Sequence, residues 1–198
     1  MIVVGLTGSI AMGKTETAKM FAARGIPVFD SDAAVHDLYA SGGAAVEPIR
    51  ILAPEAIETE GVDRKKLAAL VQADPSLLKK IEAVVHPLVK QRQEAFLREA
   101  AKSADIALLD IPLLFETERE KDVDVVIVVS AGPTQQRERA LARTGMTTEK
   151  LDFILTRQLP DAEKRARADF VIDTSASLAA TAHEVDQVIA RIRVKGTV

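Results

Sequence analysis

The chain of 198 residues contains no cysteine, no tryptophan and no asparagine, and aromatic residues make up only 4% of it. Without cysteine there is no disulfide, no thiolate nucleophile and no cysteine-ligated zinc. Without asparagine the guanine-reading N-K-x-D element of a GTPase switch is missing, and no D-x-x-G follows a strand. Long hydrophobic runs are lacking too: the longest are under about ten residues, too short for a bilayer core of roughly 30 Å. The first apolar run, 2–6, is too short to be a signal peptide. There is no basic excess, and a net charge of −3 argues against dedicated nucleic-acid binding. These absences predict a cytoplasmic protein with neither a nucleic acid nor a membrane as partner. Hydrophobic residues nevertheless reach 47%, enough for one compact core with inserted pieces.

The most informative positive feature is Gly8-Ser9-Ile10-Ala11-Met12-Gly13-Lys14-Thr15, which fits the phosphate-cradling pattern G-x-x-x-x-G-K-[ST]. It follows the apolar run 2–6, read as a buried strand. It precedes a helical stretch, 16–23, closed by Gly25. Backbone N–H groups from Ser9 to Thr15 are expected to surround the phosphates of a nucleoside triphosphate at the positive end of that helix, which Glu16 opens. Lys14 reaches the β- and γ-phosphates, and the Thr15 hydroxyl suits Mg²⁺.

Five short apolar runs, 2–6, 27–29, 106–109, 123–129 and 170–172, read as buried parallel strands. They predict an α/β fold: a P-loop core with a five-stranded parallel sheet flanked by helices, like that of nucleoside-monophosphate kinases. About 75 residues separate the second and third strands, far more than one crossover needs. That stretch reads as helices over 33–39, 44–52, 64–71, 75–85 and 87–101, with Pro87 at a first helical position. The expected organisation is a discontinuous core (1–35, 102–130 and 169–198), a helical acceptor-binding insert (36–101) and a lid (131–168). The lid segment carries eight Lys/Arg against five acids, a local basic excess suited to closing over phosphates.

An attacking hydroxyl needs an acceptor for its proton. Asp30 and Asp32 lie just beyond the second strand, at the carboxyl end of the sheet where α/β proteins bind ligands. Asp32 has two readings at this point, a site carboxylate or the N-cap of the following helix. Asp110 ends the third strand, where it either holds a magnesium-bound water or simply forms a turn. Glu116 faces either the cleft or solvent. His36, His86 and His183 are scattered and imply no metal cluster.

Taken together, these blocks closely resemble the dephospho-CoA kinase family over nearly the whole chain. The resemblance is carried by Leu6-Thr7-Gly8-Ser9-Ile10 through Gly13-Lys14-Thr15, by Val28-Phe29-Asp30-Ser31-Asp32, by His86-Pro87-Leu88 and by Pro112-Leu113-Leu114-Phe115-Glu116. Gln136-x-x-Arg139-x-x-x-Arg143, Arg157-Gln158 and Ala168-Asp169-Phe170-Val171-Ile172-Asp173 complete it. The resemblance implies ATP-dependent phosphorylation of the ribose 3′-hydroxyl of dephospho-CoA by direct in-line transfer, with ATP and dephospho-CoA as partners and Mg²⁺ as cofactor. It implies Asp32 as general base, Lys14 and Arg139 as charge stabilisers, and Arg143 as a lid contact to ATP. It also implies an acceptor region that includes Asp32, His86 and Leu114. Two departures stand out. Ala11-Met12 replace the family's usual loop residues, and Thr174-Ser175 stand where the family tends to have asparagine. No feature of the sequence indicates an oligomeric state.

Overall fold

The computed structural model describes residues 1–195. They fall into two compact units, one formed by Met1–Phe29 with Ala100–Val198 and the other by Asp30–Glu99. The division lies at Asp30 rather than after residue 35, and segment 131–168 belongs to the same unit as the sheet. Among the described residues the strands are β1 (Ile2–Thr7), β2 (Val28–Asp30), β3 (Ile57–Glu58), β4 (Gly61–Val62), β5 (Ile106–Asp110), β6 (Val125–Ser130) and β7 (Phe170–Asp173). The helices are α1 (Lys14–Ala22), α2 (Ser31–Tyr39), α3 (Val46–Leu52), α4 (Arg64–Ala73), α5 (Ser76–Ala100), α6 (Pro133–Leu141), α7 (Thr148–Leu155), α8 (Asp161–Ala166) and α9 (Leu178–Lys195). No described helix is long and apolar enough to cross a membrane.

The five expected strands form one parallel sheet in the order β2-β5-β1-β6-β7. Strands β5 and β6 are buried along their whole length, which is why their sequences run apolar without alternation. Register does the rest: Leu6 sits opposite Asp110 on one side and Ile127 on the other. The loop leaving Thr7 therefore starts between the carboxyl end of β5 and β6, which runs two residues further, to Ser130. One face of the sheet is covered by α1 through Ala18 and Phe21 and by α9 through Val185, Val188, Ile189 and Ile192. That α9 spacing is the apolar stripe of an amphipathic helix. Each such aliphatic or aromatic side chain contributes roughly 1.5–3 kcal/mol on burial. Arg24, just past α1, clamps the two helices by donating to Asp186 Oδ2 and to the Ala182 carbonyl, both at 2.9 Å.

In the second unit α2 begins at Ser31 because Asp30 caps it, its Oδ1 accepting from the Ala33 N–H at 3.0 Å. Helix α4 is capped in the same way by Asp63, whose Oδ1 accepts from Lys65 and Lys66. Between α3 and α4 lies a hairpin absent from the sequence reading, with Ile57 paired to Val62 and Glu58 to Gly61. Its two turn residues, Thr59 and Glu60, both have positive φ (48° and 60°). This is the backbone a two-residue hairpin demands, but neither residue is the Asn or Gly that usually advertises it.

The expected break at Pro87 is corrected by the structure: α5 is one helix of 25 residues with Pro87 inside it. The buried positions Leu77, Ile81, Val85, Val89 and Gln93 continue at a spacing of four straight past the proline. Pro87 and Ala83 both lie on the exposed face. The Ala83 carbonyl that loses its N–H partner can therefore be hydrated, and packing outweighs the proline penalty. Replacing this proline should recover part of the ~3 kcal/mol that an interior proline costs a helix. Pro87→Ala is expected to raise unfolding free energy by about 1–3 kcal/mol in urea titrations; a lower midpoint would show that the ring makes a contact worth more than the lost hydrogen bond.

Candidate active site

The loop of residues 8–13 joins β1 to α1, and Gly13 is where it becomes helix. Its φ of 91° is left-handed, and it caps α1 with no side-chain bond to the helix N–H groups. The first-turn amides of α1 are thus left for an outside acceptor, the arrangement that makes helix N-termini bind phosphate. The loop N–H groups are not all available, however. The Ile10 N–H donates to Gln158 Oε1 at 3.0 Å and the Met12 N–H to the Ser9 carbonyl at 3.2 Å. Among the described residues, the N–H groups of Ser9, Ala11 and Gly13 have no protein partner. Within the stretch Ser9 to Thr15, the Ile10 and Met12 amides are thus the ones engaged inside the protein. Ala11 is left-handed as well, with φ of 62°. Its buried methyl packs with Ala140 and Leu151, against α6 and α7.

The loop is gripped from its outer side. Gln136 Nε2 donates to the Ile10 carbonyl at 2.9 Å, and the Met12 sulfur accepts from the Ala131 N–H at 3.1 Å. Thr174, immediately after β7, is buried and donates its hydroxyl to the Met12 carbonyl at 2.8 Å. The same Oγ1 accepts from Arg139 Nη1 at 3.0 Å, while Arg139 Nη2 donates to the Thr174 carbonyl at 2.6 Å. One hydroxyl thus ties Arg139, on α6, to the P-loop backbone. Ser175 adds a second tie, its Oγ accepting from the Gly132 N–H at 2.9 Å. The departure at Thr174-Ser175 is where these contacts are made. Gln136 and Gln158 sit in the motif blocks, but nothing in the sequence singled them out as partners of Ile10.

Lys14 forms an ion pair with Asp110. Asp110 is a buried strand residue, not a turn former. The Thr15 hydroxyl is exposed and makes no protein hydrogen bond among the described residues. A hydroxyl and a carboxylate at the phosphate end of the loop suit Mg²⁺, which takes few protein ligands and completes its shell with water and phosphate oxygens. Among the described residues, no group of three or more His, Cys, Asp or Glu is arranged to hold a metal.

The other expected residues fall as follows. Asp32 lies in the first turn of α2, exposed and without a side-chain hydrogen bond, because Asp30 is the cap. His36 and His86 are exposed, on α2 and α5, and His183 lies 3.0 Å from Gln187 on α9. Glu16 pairs with Lys19 at 2.7 Å on the surface of α1, so its contribution to the loop is its amide. The Arg143 side chain, just beyond α6, is exposed and makes no ion pair or hydrogen bond among the described residues. Leu114 is fully buried, with its Cδ1 against Gly5. Its side chain belongs to the core in this conformation. Glu116 is half-buried and engaged within the protein. Its Oε1 accepts from the Leu159 N–H at 2.8 Å and pairs at 2.7 Å with Lys164, which is fully buried.

A family model described as dephospho-CoA kinase matches residues 2–180. The chain belongs to the dephospho-CoA kinase family. It is 56% identical over 190 residues to a dephospho-CoA kinase of Brucella melitensis, covering 96% of this chain and 94% of the relative. To that of Agrobacterium fabrum it is 51% identical, covering 97% and 98%. Among solved structures it is similar to TT1252 from Thermus thermophilus, with a TM-score of 0.82, 34% identity and coverage of 96% and 97%. The dephospho-CoA kinase from Campylobacter jejuni gives a TM-score of 0.74 at 25% identity, covering 99% and 98%. A shikimate kinase from Bacteroides thetaiotaomicron shares the fold alone, at a TM-score of 0.52 and 15% identity. In this chain the Thr174 contacts hold the P-loop at Met12. Thr174→Val keeps the shape of the side chain but leaves the buried Met12 carbonyl and one Arg139 N–H without a partner. It should destabilise the fold by about 1–3 kcal/mol, measured by denaturant unfolding, whereas Thr174→Ser should retain most of the stability. Equal stability of the valine variant would remove Thr174 from the loop's support.

Proposed function

We propose that the chain transfers the γ-phosphoryl group of ATP to the ribose 3′-hydroxyl of dephospho-CoA, giving coenzyme A and ADP. The observation that carries this reading is a P-loop whose open amides, Lys14 side chain and Thr15 hydroxyl have, among the described residues, no hydrogen-bond or ion-pair partner other than Asp110, in a chain that belongs to this family over residues 2–180. Phosphoryl transfer requires little covalent chemistry from the protein. It requires alignment and positive charge set against the charge that develops on the moving group.

The unpaired loop amides and the first turn of α1 hold the β-phosphate. Lys14 exchanges Asp110 for the β- and γ-phosphate oxygens. Asp32, released from capping by Asp30, accepts the proton of the 3′-hydroxyl as its oxygen attacks phosphorus in line with the departing ADP oxygen. Arg139 offsets charge on the transferring group from a guanidinium already oriented by Thr174, and Arg143 adds a lid contact to ATP. The Thr15 hydroxyl and the Asp110 carboxylate would hold magnesium, which when bound would supply positive charge to offset that of the phosphates. Segment 131–168 serves as the lid that excludes water, residues 36–101 hold the acceptor, and the reaction takes place in the cytoplasm.

The direct test is ATP consumption with dephospho-CoA, nucleoside monophosphates and small sugars in parallel. Robust turnover of another acceptor, with none of dephospho-CoA, overturns the proposal. Asp32→Asn should lower kcat by about 10²–10⁴, the range of general acid–base catalysis, with nucleotide binding by calorimetry little changed. Unchanged turnover would remove Asp32 from the mechanism. Arg139→Ala should slow the single-turnover rate of transfer by roughly 10²-fold or more, and a normal rate would leave Arg139 as a purely structural tie.

A further inference from the structure

The unit Asp30–Glu99 contains a cavity of about 580 Å³, a size typical of small-molecule sites. It is lined by the end of α2 (His36, Tyr39), by the β3–β4 hairpin and by the start of α4 (Arg64, Lys65). The hairpin comes so close to the end of α2 that a Cβ on Gly61 would lie 3.2 Å from the Tyr39 carbonyl oxygen. Its turn is built on two left-handed non-glycine residues, Thr59 and Glu60, as a two-residue hairpin requires.

The charges in the lining are unevenly committed. Both carboxylates are engaged within the protein: Glu58 pairs with Lys66 at 3.0 Å, and Asp63 accepts from the Lys65 and Lys66 N–H groups at 2.7 and 3.0 Å. Among the described residues, the side chains of His36, Arg64 and Lys65 make no hydrogen bond or ion pair. Burial pushes the pKa of the Tyr39 hydroxyl up, with the Arg64 charge acting against it, so the phenol stays a protonated donor at neutral pH. The cavity therefore offers donors and positive charge with no internal anion left to satisfy them.

Asp32 and His36 are four residues apart on α2 and share a face, about one turn or 5.4 Å along the axis. In a nucleoside 5′-pyrophosphate, the first phosphorus lies a comparable distance from the 3′-oxygen. We propose that this cavity binds the pyrophosphate of the acceptor through Arg64, Lys65 and His36, one helical turn beyond the carboxylate that receives the 3′-hydroxyl. The assignment rests on the reading of Asp32 and dephospho-CoA given above and adds the acceptor's orientation to it. Arg64 supplies a planar fork suited to two phosphate oxygens, and Lys65 a point charge beside it.

The test is steady-state kinetics of Arg64→Ala, Arg64→Lys and Lys65→Ala against wild type, varying dephospho-CoA and ATP separately. The alanine variants should raise the KM for dephospho-CoA roughly tenfold or more, with the KM for ATP changed less than about twofold, kcat falling far less and thermal midpoints close to wild type. Arg64→Lys should recover part of the loss, because it keeps the charge and gives up the fork. Unchanged KM for dephospho-CoA in both alanine variants overturns the assignment, as does a parallel rise in both KM values. If wild type turns over dephospho-CoA and the variants match it, the cavity assignment alone fails. If wild type does not turn it over, the functional reading fails and the assignment with it.

Discussion

The nucleotide end of the sheet depends on how the P-loop backbone is held at Ile10–Met12. A loop whose inner amides wait for phosphate has few internal hydrogen bonds of its own, so its shape is imposed from outside. Gln158 and Gln136 take the two polar groups of the Ile10 peptide unit, and Thr174 takes the Met12 carbonyl. Left-handed backbone at a non-glycine residue costs about 1–2 kcal/mol, and Ala11 is such a residue. Its methyl recovers part of that by packing against Ala140 and Leu151. The alanine in this chain's loop is thus more than a tolerated variation: it bears strain and contact together.

The segment read as a lid is consequently also a wall of the loop. Helices α6 and α7 supply the apolar contact to Ala11, Gln136 supplies a hydrogen bond, and α6 carries Arg139. Arg139 and the P-loop share one buried hydroxyl, so a movement of α6 that repositions the guanidinium bears on the loop at Met12 as well. Buried hydrogen bonds resist such changes because a group stripped of its partner carries the full desolvation penalty. Closure over nucleotide is therefore expected to involve side chains and helix ends more than wholesale displacement of α6.

Much of this was legible in the sequence, for identifiable reasons. The strands could be read because a sheet covered on both faces has apolar runs, and the P-loop because its chemistry fixes residue types at close spacing. Asp30 and Asp32 both have cap chemistry, and only the end of β2 decides between them; with the strand running to Asp30, the cap is Asp30 and Asp32 is left uncommitted. The break expected at Pro87 followed from local propensity, which the stripe Leu77–Gln93 overrides. Thr174 could not be found as a support, since its partners Met12 and Arg139 lie 162 and 35 positions away. The β3–β4 hairpin escaped because Thr59-Glu60 has no turn signature. The burial of Leu114 was not legible because a motif block mixes core residues with polar ones, and burial is a tertiary property.

Two lysine–carboxylate pairs in the sheet-bearing unit show which charges the fold can release. In the Lys164–Glu116 pair the lysine is the sequestered member, at 0% exposure, and Glu116 is also occupied by the Leu159 N–H. Separating that pair leaves an uncompensated buried charge, a loss of about 3–5 kcal/mol, so it serves structure alone. Lys14 has 16% exposure against 6% for Asp110, and it stands at the mouth of the loop where other anions can reach it. Asp110 holds the Lys14 ammonium in place before nucleotide arrives. When phosphate oxygens take its place, one charge-assisted contact is exchanged for another of similar kind. The net change is small because attraction is replaced rather than created. Triphosphate binding then draws mainly on the open amides, and the lysine remains available to strengthen its hold as charge builds on the group in transfer.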